Sequence, residues 1–210
     1  MVAHQATRGV VRGALELLRH EGVVERVRGQ GTFVVSERVA NNLLEMSGVQ
    51  EPSPTGILGD APLMALIDRH EIGLPEQIAG RLRAPAGSRC LRLEYLAVNR
   101  GRVTAIGTNY LLYPEAESIA SCAFAPTLYA TFQHAGISVG GCEFLISAIN
   151  ADELIAPFIG VAVGTAIFCL EQLIVDEDGR PYDFAVCYVR ADCHSIMSHI
   201  MTDPQRPWPL

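Results

Sequence analysis

The chain has 210 residues, enough to bury a substantial core in one domain or two small ones. Apolar residues make up 49% and charged residues 19%, a composition that excludes intrinsic disorder. The net charge of −7, taken as a mean, argues against a nucleic-acid partner, and all 16 cations are Arg.

Residues 1–10 lack a basic stretch followed by an apolar run, so no signal peptide is expected. From residue 5 to residue 20, Val10, Val11, Ala14, Leu15, Leu17 and Leu18 recur at helical spacing, and Gly22 follows as a C-cap. VVERV (23–27) and TFVV (32–35) flank Arg28-Gly29-Gln30-Gly31 and predict a β-hairpin. Periodicity then fades, and SGVQEPSPTG (47–56) has the composition of a linker. The expected organisation is a small domain over 1–35, a linker over 36–56 and a larger domain over 57–210.

LRLEYLAV (91–98) and VTAIGTNYLL (103–112) predict a second hairpin around Asn99-Arg100-Gly101-Arg102. TLYATFQHAG (127–136) reads as a helix ended by Gly136, and ISVGGCEFLISAI (137–149) as a strand. ADELIAPFIG (151–160) reads as a short helix with acids in its first turn. AIFCLEQLIV (166–175) and YDFAVCYVR (182–190) flank a tight-turn sequence, Glu-Asp-Gly-Arg. Residues 154–170 carry no charge over nearly the length of a membrane span. Pro157, Gly160 and Gly164 interrupt them, so a short helix, a turn and a buried strand are expected instead. Hairpins with helices between them give an α+β class with an antiparallel sheet.

The six cysteines show no CxxC spacing and read as buried free thiols. Cys193 and His194, with His199 nearby, lack further converging ligands, so no metal and no cofactor is expected. Neither Gly-x-Ser-x-Gly, a Walker loop nor a paired-carboxylate motif occurs. Cys142, Glu143, Cys187, His134 and His194 are not brought together by spacing, so catalysis is not expected.

Three N-terminal stretches carry a family resemblance: Thr7-Arg8-Gly9-Val10-Val11-Arg12-Gly13-Ala14-Leu15, Glu21-Gly22-Val23-Val24 and Gly29-Gln30-Gly31-Thr32-Phe33-Val34. Together they resemble the second half of a GntR-type winged helix-turn-helix, a recognition helix and its wing. The helices that precede the recognition helix in that family have no counterpart ahead of Thr7, so the resemblance implies a partial winged helix. The charge agrees. Residues 1–35 hold five Arg and three Glu, a net of +2, and the remainder holds 11 Arg and 20 acids, a net of −9. Arg8 and Arg12 are four apart on one helical face, and Gln5 and Thr7 sit where base edges are met. Arg28 at the wing tip, with Gly29, Gly31 and Thr32, is placed for a phosphate or the minor groove. Arg19 and Arg26 read as solvating charges.

Four further segments resemble the UTRA effector-binding domain of the HutC-type subfamily, which has a chorismate-lyase-like fold. They are Thr127-Leu128-Tyr129, His134-Ala135-Gly136-Ile137, Asp178-Gly179-Arg180-Pro181 and Tyr188-Val189-Arg190-Ala191-Asp192. Phosphosugar-sensing members carry an Arg-x-Arg where this chain has Tyr95 and Ala97. Their acid falls at Gly107, and a further Arg falls near Gly141. The resemblance therefore implies an effector that is not a phosphosugar. Its implied ligand-binding candidates are Tyr95, Thr108, Asn109, Thr127, Asp183 and Tyr188, with Asp183 replacing a family Glu. Thr127 reads equally as an N-cap and Tyr188 as a sheet-packing residue. Arg92 faces away from Tyr95 in the expected register. The implied protein is a cytoplasmic, homodimeric regulator that binds operator double-stranded DNA and a small effector, with no membrane partner. The alternatives are a stand-alone sensor that has lost DNA binding and a chorismate-lyase-like enzyme.

Overall fold

The computed structural model describes residues 7–20, 24–27, 31–34, 39–42, 63–99 and 101–197. The chain divides into two compact units, Met1–Arg38 and Val39–Leu210.

The first unit holds the expected helix and hairpin: α1 (Arg8–His20), β1 (Val24–Val27) and β2 (Gly31–Val34). Thr7 precedes α1, and its Oγ1 accepts the Val10 N–H at 3.4 Å. β1 and β2 pair antiparallel from Val24↔Val34 to Val27↔Gly31. Val10, Val11 and Leu17 of α1 are exposed.

The second unit contains β3 (Val39–Asn42), β4 (Leu63–Gly73), α2 (Glu76–Ala79), β5 (Arg89–Asn99) and β6 (Arg102–Leu112). After these come α3 (Glu115–Ser121), α4 (Leu128–His134), β7 (Gly141–Asn150), α5 (Ala156–Ile159), β8 (Ala166–Val175), β9 (Pro181–Arg190) and β10 (His194–Met197). Six strands form an antiparallel sheet in the order β4-β5-β6-β9-β8-β7. β3 and β10 make a separate parallel pair, so four residues within the span read as linker are strand.

Turn chemistry sets the β8–β9 hairpin. Asp176 Oδ1 accepts the N–H groups of Asp178 at 3.1 Å and Arg180 at 2.8 Å, and Gly179 takes a φ of +78°. The strand expected from residue 137 begins only at Gly141. Ahead of it, Gly140 lies so close to β8 that an added Cβ would sit 2.2 Å from the Asp176 carbonyl oxygen. The helix expected over 151–160 shortens to α5, because Asp152 Oδ1 takes the N–H groups of Leu154 and Ile155 in a turn. β4 and α3 were not expected. The alternation of β4 breaks at a bulge between Leu66 and Asp68, and a charged run, Asp68-Arg69-His70-Glu71, follows. This is an edge strand protected in the usual way.

Strict alternation gives the sheet two faces. On one, Leu91, Leu93, Leu111 and Ile174 are covered by Ala116 and Ile119 of α3 and Leu128 and Phe132 of α4. The far end of that face, Ala97, Ala105, Leu170 and Val189, is met by Ile196 of β10. On the other face Cys90, Leu112 and Phe184 pack with Leu74, Ala79 and Leu82 around α2. Ile167 packs there with Ala156 and Ile159 of α5. Among the described residues no helix is long and apolar enough to cross a membrane.

Candidate functional site

The register of the central strands builds a polar row on the face that α3 and α4 partly cover. Tyr95 lies opposite Gly107, which lies opposite Cys187. The next row is Leu93, Asn109 and Ala185, with Gln172 of β8 beside Ala185. The row after that is Leu91, Leu111 and Asp183.

The Tyr95 ring occupies the space that a side chain at Gly107 would need. A Cβ built on Gly107 would stand 2.5 Å from Tyr95 Cζ, so only glycine fits beneath the ring in this position. Tyr95 Oη and Cys187 Sγ approach to 3.5 Å, and the ring centroid lies 5.8 Å from that of Phe124. Burial pushes the Tyr95 phenol well above its ordinary range and the Cys187 thiol up to about 11, so both keep their protons.

Asn109 Nδ2 donates to Asp183 Oδ2 at 2.7 Å, and both side chains are fully buried. Among the described residues Asn109 Oδ1 and Asp183 Oδ1 have no hydrogen-bond partner. Desolvation raises the Asp183 carboxyl to about 7, against the opposing pull of the Asn109 hydrogen bond.

The structure brings together Tyr95, Asn109 and Asp183 among the expected ligand residues. Thr108 and Tyr188 follow the alternation onto the opposite face, where Tyr188 packs in the cluster around Ile159 and Ile167. Thr127 caps α4, its Oγ1 accepting the Ala130 N–H at 3.1 Å. Arg92 points to the opposite face and pairs with Asp68 at 3.3 Å and Glu94 at 3.2 Å. Gln172 and Cys187 join the row without having been expected there. AIFCLEQLIV alternates so that Leu170, Gln172 and Ile174 share a face, but only the β8–β9 register shows which face it is.

In the first unit, Thr7, Arg8 and Arg12 are exposed at the start of α1, Gly31 opens β2 and Thr32 on β2 is exposed. Gln5, Arg28 and Gly29 lie outside the described residues. None of the six cysteines is in a disulfide, and the described residues contain no cluster of three metal-ligating His, Cys, Asp or Glu side chains.

A six-stranded antiparallel sheet with helices on both faces and a buried polar row defines an α+β domain with a candidate small-molecule site. The chain belongs to the UTRA domain family, which matches residues 58–195. It is similar to the HTH-type transcriptional regulator GgaR of Escherichia coli K12, at 23% identity over 90% of this chain and 74% of that protein. It is also similar to the HTH-type transcriptional repressor NagR of Bacillus subtilis, at 22% identity over 92% of this chain and 79% of that protein. The crystal structure of PhnF from Mycobacterium smegmatis shares the fold, with a TM-score of 0.68, 23% identity, and coverage of 95% of this chain and 87% of that one. These relatives are transcriptional regulators, not enzymes.

Proposed function

We propose that this chain is a ligand-responsive, DNA-binding transcriptional regulator of the GntR type and HutC-type subfamily, acting as a cytoplasmic homodimer. One observation carries the reading: similarity to GgaR and NagR runs over 90% and 92% of the chain, beyond the UTRA span of 58–195. The charge split supports it, since the basic residues Arg8 and Arg12 lie one turn apart on the exposed α1, in a unit separate from the acidic one. The DNA contacts proposed are Gln5, Thr7, Arg8 and Arg12 to base edges and adjacent phosphates, and Arg28, Gly29, Gly31 and Thr32 at the wing.

The effector binds over Tyr95, Asn109 and Asp183. Tyr95, Ala97 and Gly107 place no charge where phosphosugar-sensing members hold phosphate, which supports a different effector class. Coupling runs through β3 and β10. Ile196 of β10 touches the same sheet face, and β3 begins where the second unit begins, at Val39. An effector shifts operator affinity only by binding two arrangements of these elements unequally.

The test selects a DNA ligand from a random duplex pool and compares wild-type with Arg8→Ala and Arg12→Ala by fluorescence anisotropy. Both substitutions are expected to weaken binding at every salt concentration. Unchanged affinity in both sinks the reading. A chain that binds a metabolite and no duplex is the stand-alone sensor instead, an outcome favoured by the exposed apolar side chains of Val10, Val11 and Leu17 on α1.

A further inference from the structure

Two acceptors in the polar row are left over. Asn109 gives an amide N–H to Asp183, yet among the described residues Asn109 Oδ1 and Asp183 Oδ1 have no hydrogen-bond partner, and neither side chain has exposed surface. Buried acceptors are nearly always paired, and an orphan is destabilising, more so when it is charged. A buried carboxylate in particular calls for a cation or for several donors.

The described residues around it supply neither. Tyr95 and Cys187 are engaged with each other. Arg69, on the same face at β4, is committed to the carbonyls of Ile119 at 3.1 Å and Cys122 at 2.7 Å. Arg92 lies on the opposite face in its own ion pairs. The face also has a direction of approach. Ala185 puts little side chain on its floor, and burial relaxes toward the β7 edge, where Phe144 is half-buried and Ile146 and Ala148 are exposed. On that side Gln172 of β8 lies next to Ala185, and Asp183 of β9 and Asn109 of β6 follow toward the middle of the sheet.

We propose that this site takes a compact ligand presenting a cationic nitrogen, an ammonium or amidinium, whose N–H groups fill the two orphaned acceptors. The proposal rests on the effector-site reading and names the chemical class of the effector. An anionic ligand meets two acceptors and no free guanidinium. A neutral polyol satisfies the acceptors but leaves uncompensated the charge that Asp183 carries above about pH 7. An N–H cation does both.

Matched probes test it on the 210-residue protein at pH 8: benzamidine, benzamide and benzoate, and butylamine, butanol and butyrate. Binding is read by calorimetry and by thermal shift. The cation of at least one set is expected to bind tightest and to lose affinity about tenfold or more in Asp183→Asn. A thermal melt of that variant shows that it is folded. A neutral or anionic member binding as tightly as its cation overturns the proposal, as does cation binding that Asp183→Asn leaves unchanged or the failure of every probe. Benzoate or benzamide bound tightest and released by Tyr95→Ala overturns the cation class while the effector face stands. Binding indifferent to Tyr95, Asn109 and Asp183 alike overturns both.

Discussion

Gly107 and Tyr95 fill one space between them. Because a Cβ at residue 107 would lie 2.5 Å from the ring, Gly107→Ala is expected to destabilise the fold by about 1–3 kcal/mol. Tyr95→Ala in the same chain should recover much of that loss, a coupling that denaturant titration of the double-mutant cycle measures. Two buried titratable groups predict opposing pH effects. Asp183 keeps its proton up to about 7 when folded, against 3.8 for the free side chain, so it removes stability as pH rises through that window. Burial pushes His194 down to about 4 from 6.5, so it removes stability as pH falls through that window. Asp183→Asn therefore leaves the His194 slope alone. Melts at pH 4.5 and 7.5 should show the variant gaining on wild-type at the higher pH, and equal differences at both would refute the assignment. Neither group's burial is legible from its sequence neighbourhood. Asp183 sits in a strand read correctly as YDFAVCYVR, but its fate depends on Leu111 and Ile174 across the register.

The helices and strands carry their own tests. Thr127 Oγ1 is spent on the Ala130 N–H, so Thr127→Ala should cost about 1 kcal/mol as the loss of a cap. That lowers the melting midpoint by roughly 2–4 °C and leaves ligand affinity unchanged, whereas a loss of affinity at unchanged midpoint would make Thr127 a ligand contact. The two sheet edges differ. β4 carries a bulge and the charges Asp68, Arg69, His70 and Glu71, while β7 from Phe144 to Asn150 has no charge, and Leu145 and Ile146 are exposed. A second chain is expected to add at β7. Leu145→Lys with Ile146→Lys should lower self-association in sedimentation velocity, and an unchanged distribution would exclude this edge. The three hairpins were legible because Gly-containing turns separate alternating apolar runs. β4 was not, because its bulge slips the alternation midway, and β3 was not, because four residues gain their strand character only by pairing with β10.

Across the whole chain, the mean charge of −7 conceals a basic first 35 residues and an acidic remainder. If the basic unit meets DNA through phosphates, each of Arg8→Ala and Arg12→Ala should reduce the slope of log affinity against log salt by roughly 1. A variant with a flat difference across salt concentrations contacts something other than a phosphate. The candidate effector face was half legible. The resemblance pointed to Tyr95, Asn109 and Asp183, but it could not separate Asn109 from its neighbour Thr108, which the pleat sends to the other face.

The Tyr95–Gly107 contact also constrains how such a site changes its specificity. The resemblance puts an arginine at 95 and an acid at 107 in phosphosugar sensors. Losing the arginine alone strands a carboxylate on a buried face, and gaining the tyrosine alone collides with any side chain at 107. The two positions are therefore coupled, and a change at only one of them is disfavoured. Building a charged pair on this face therefore takes a change at both positions together.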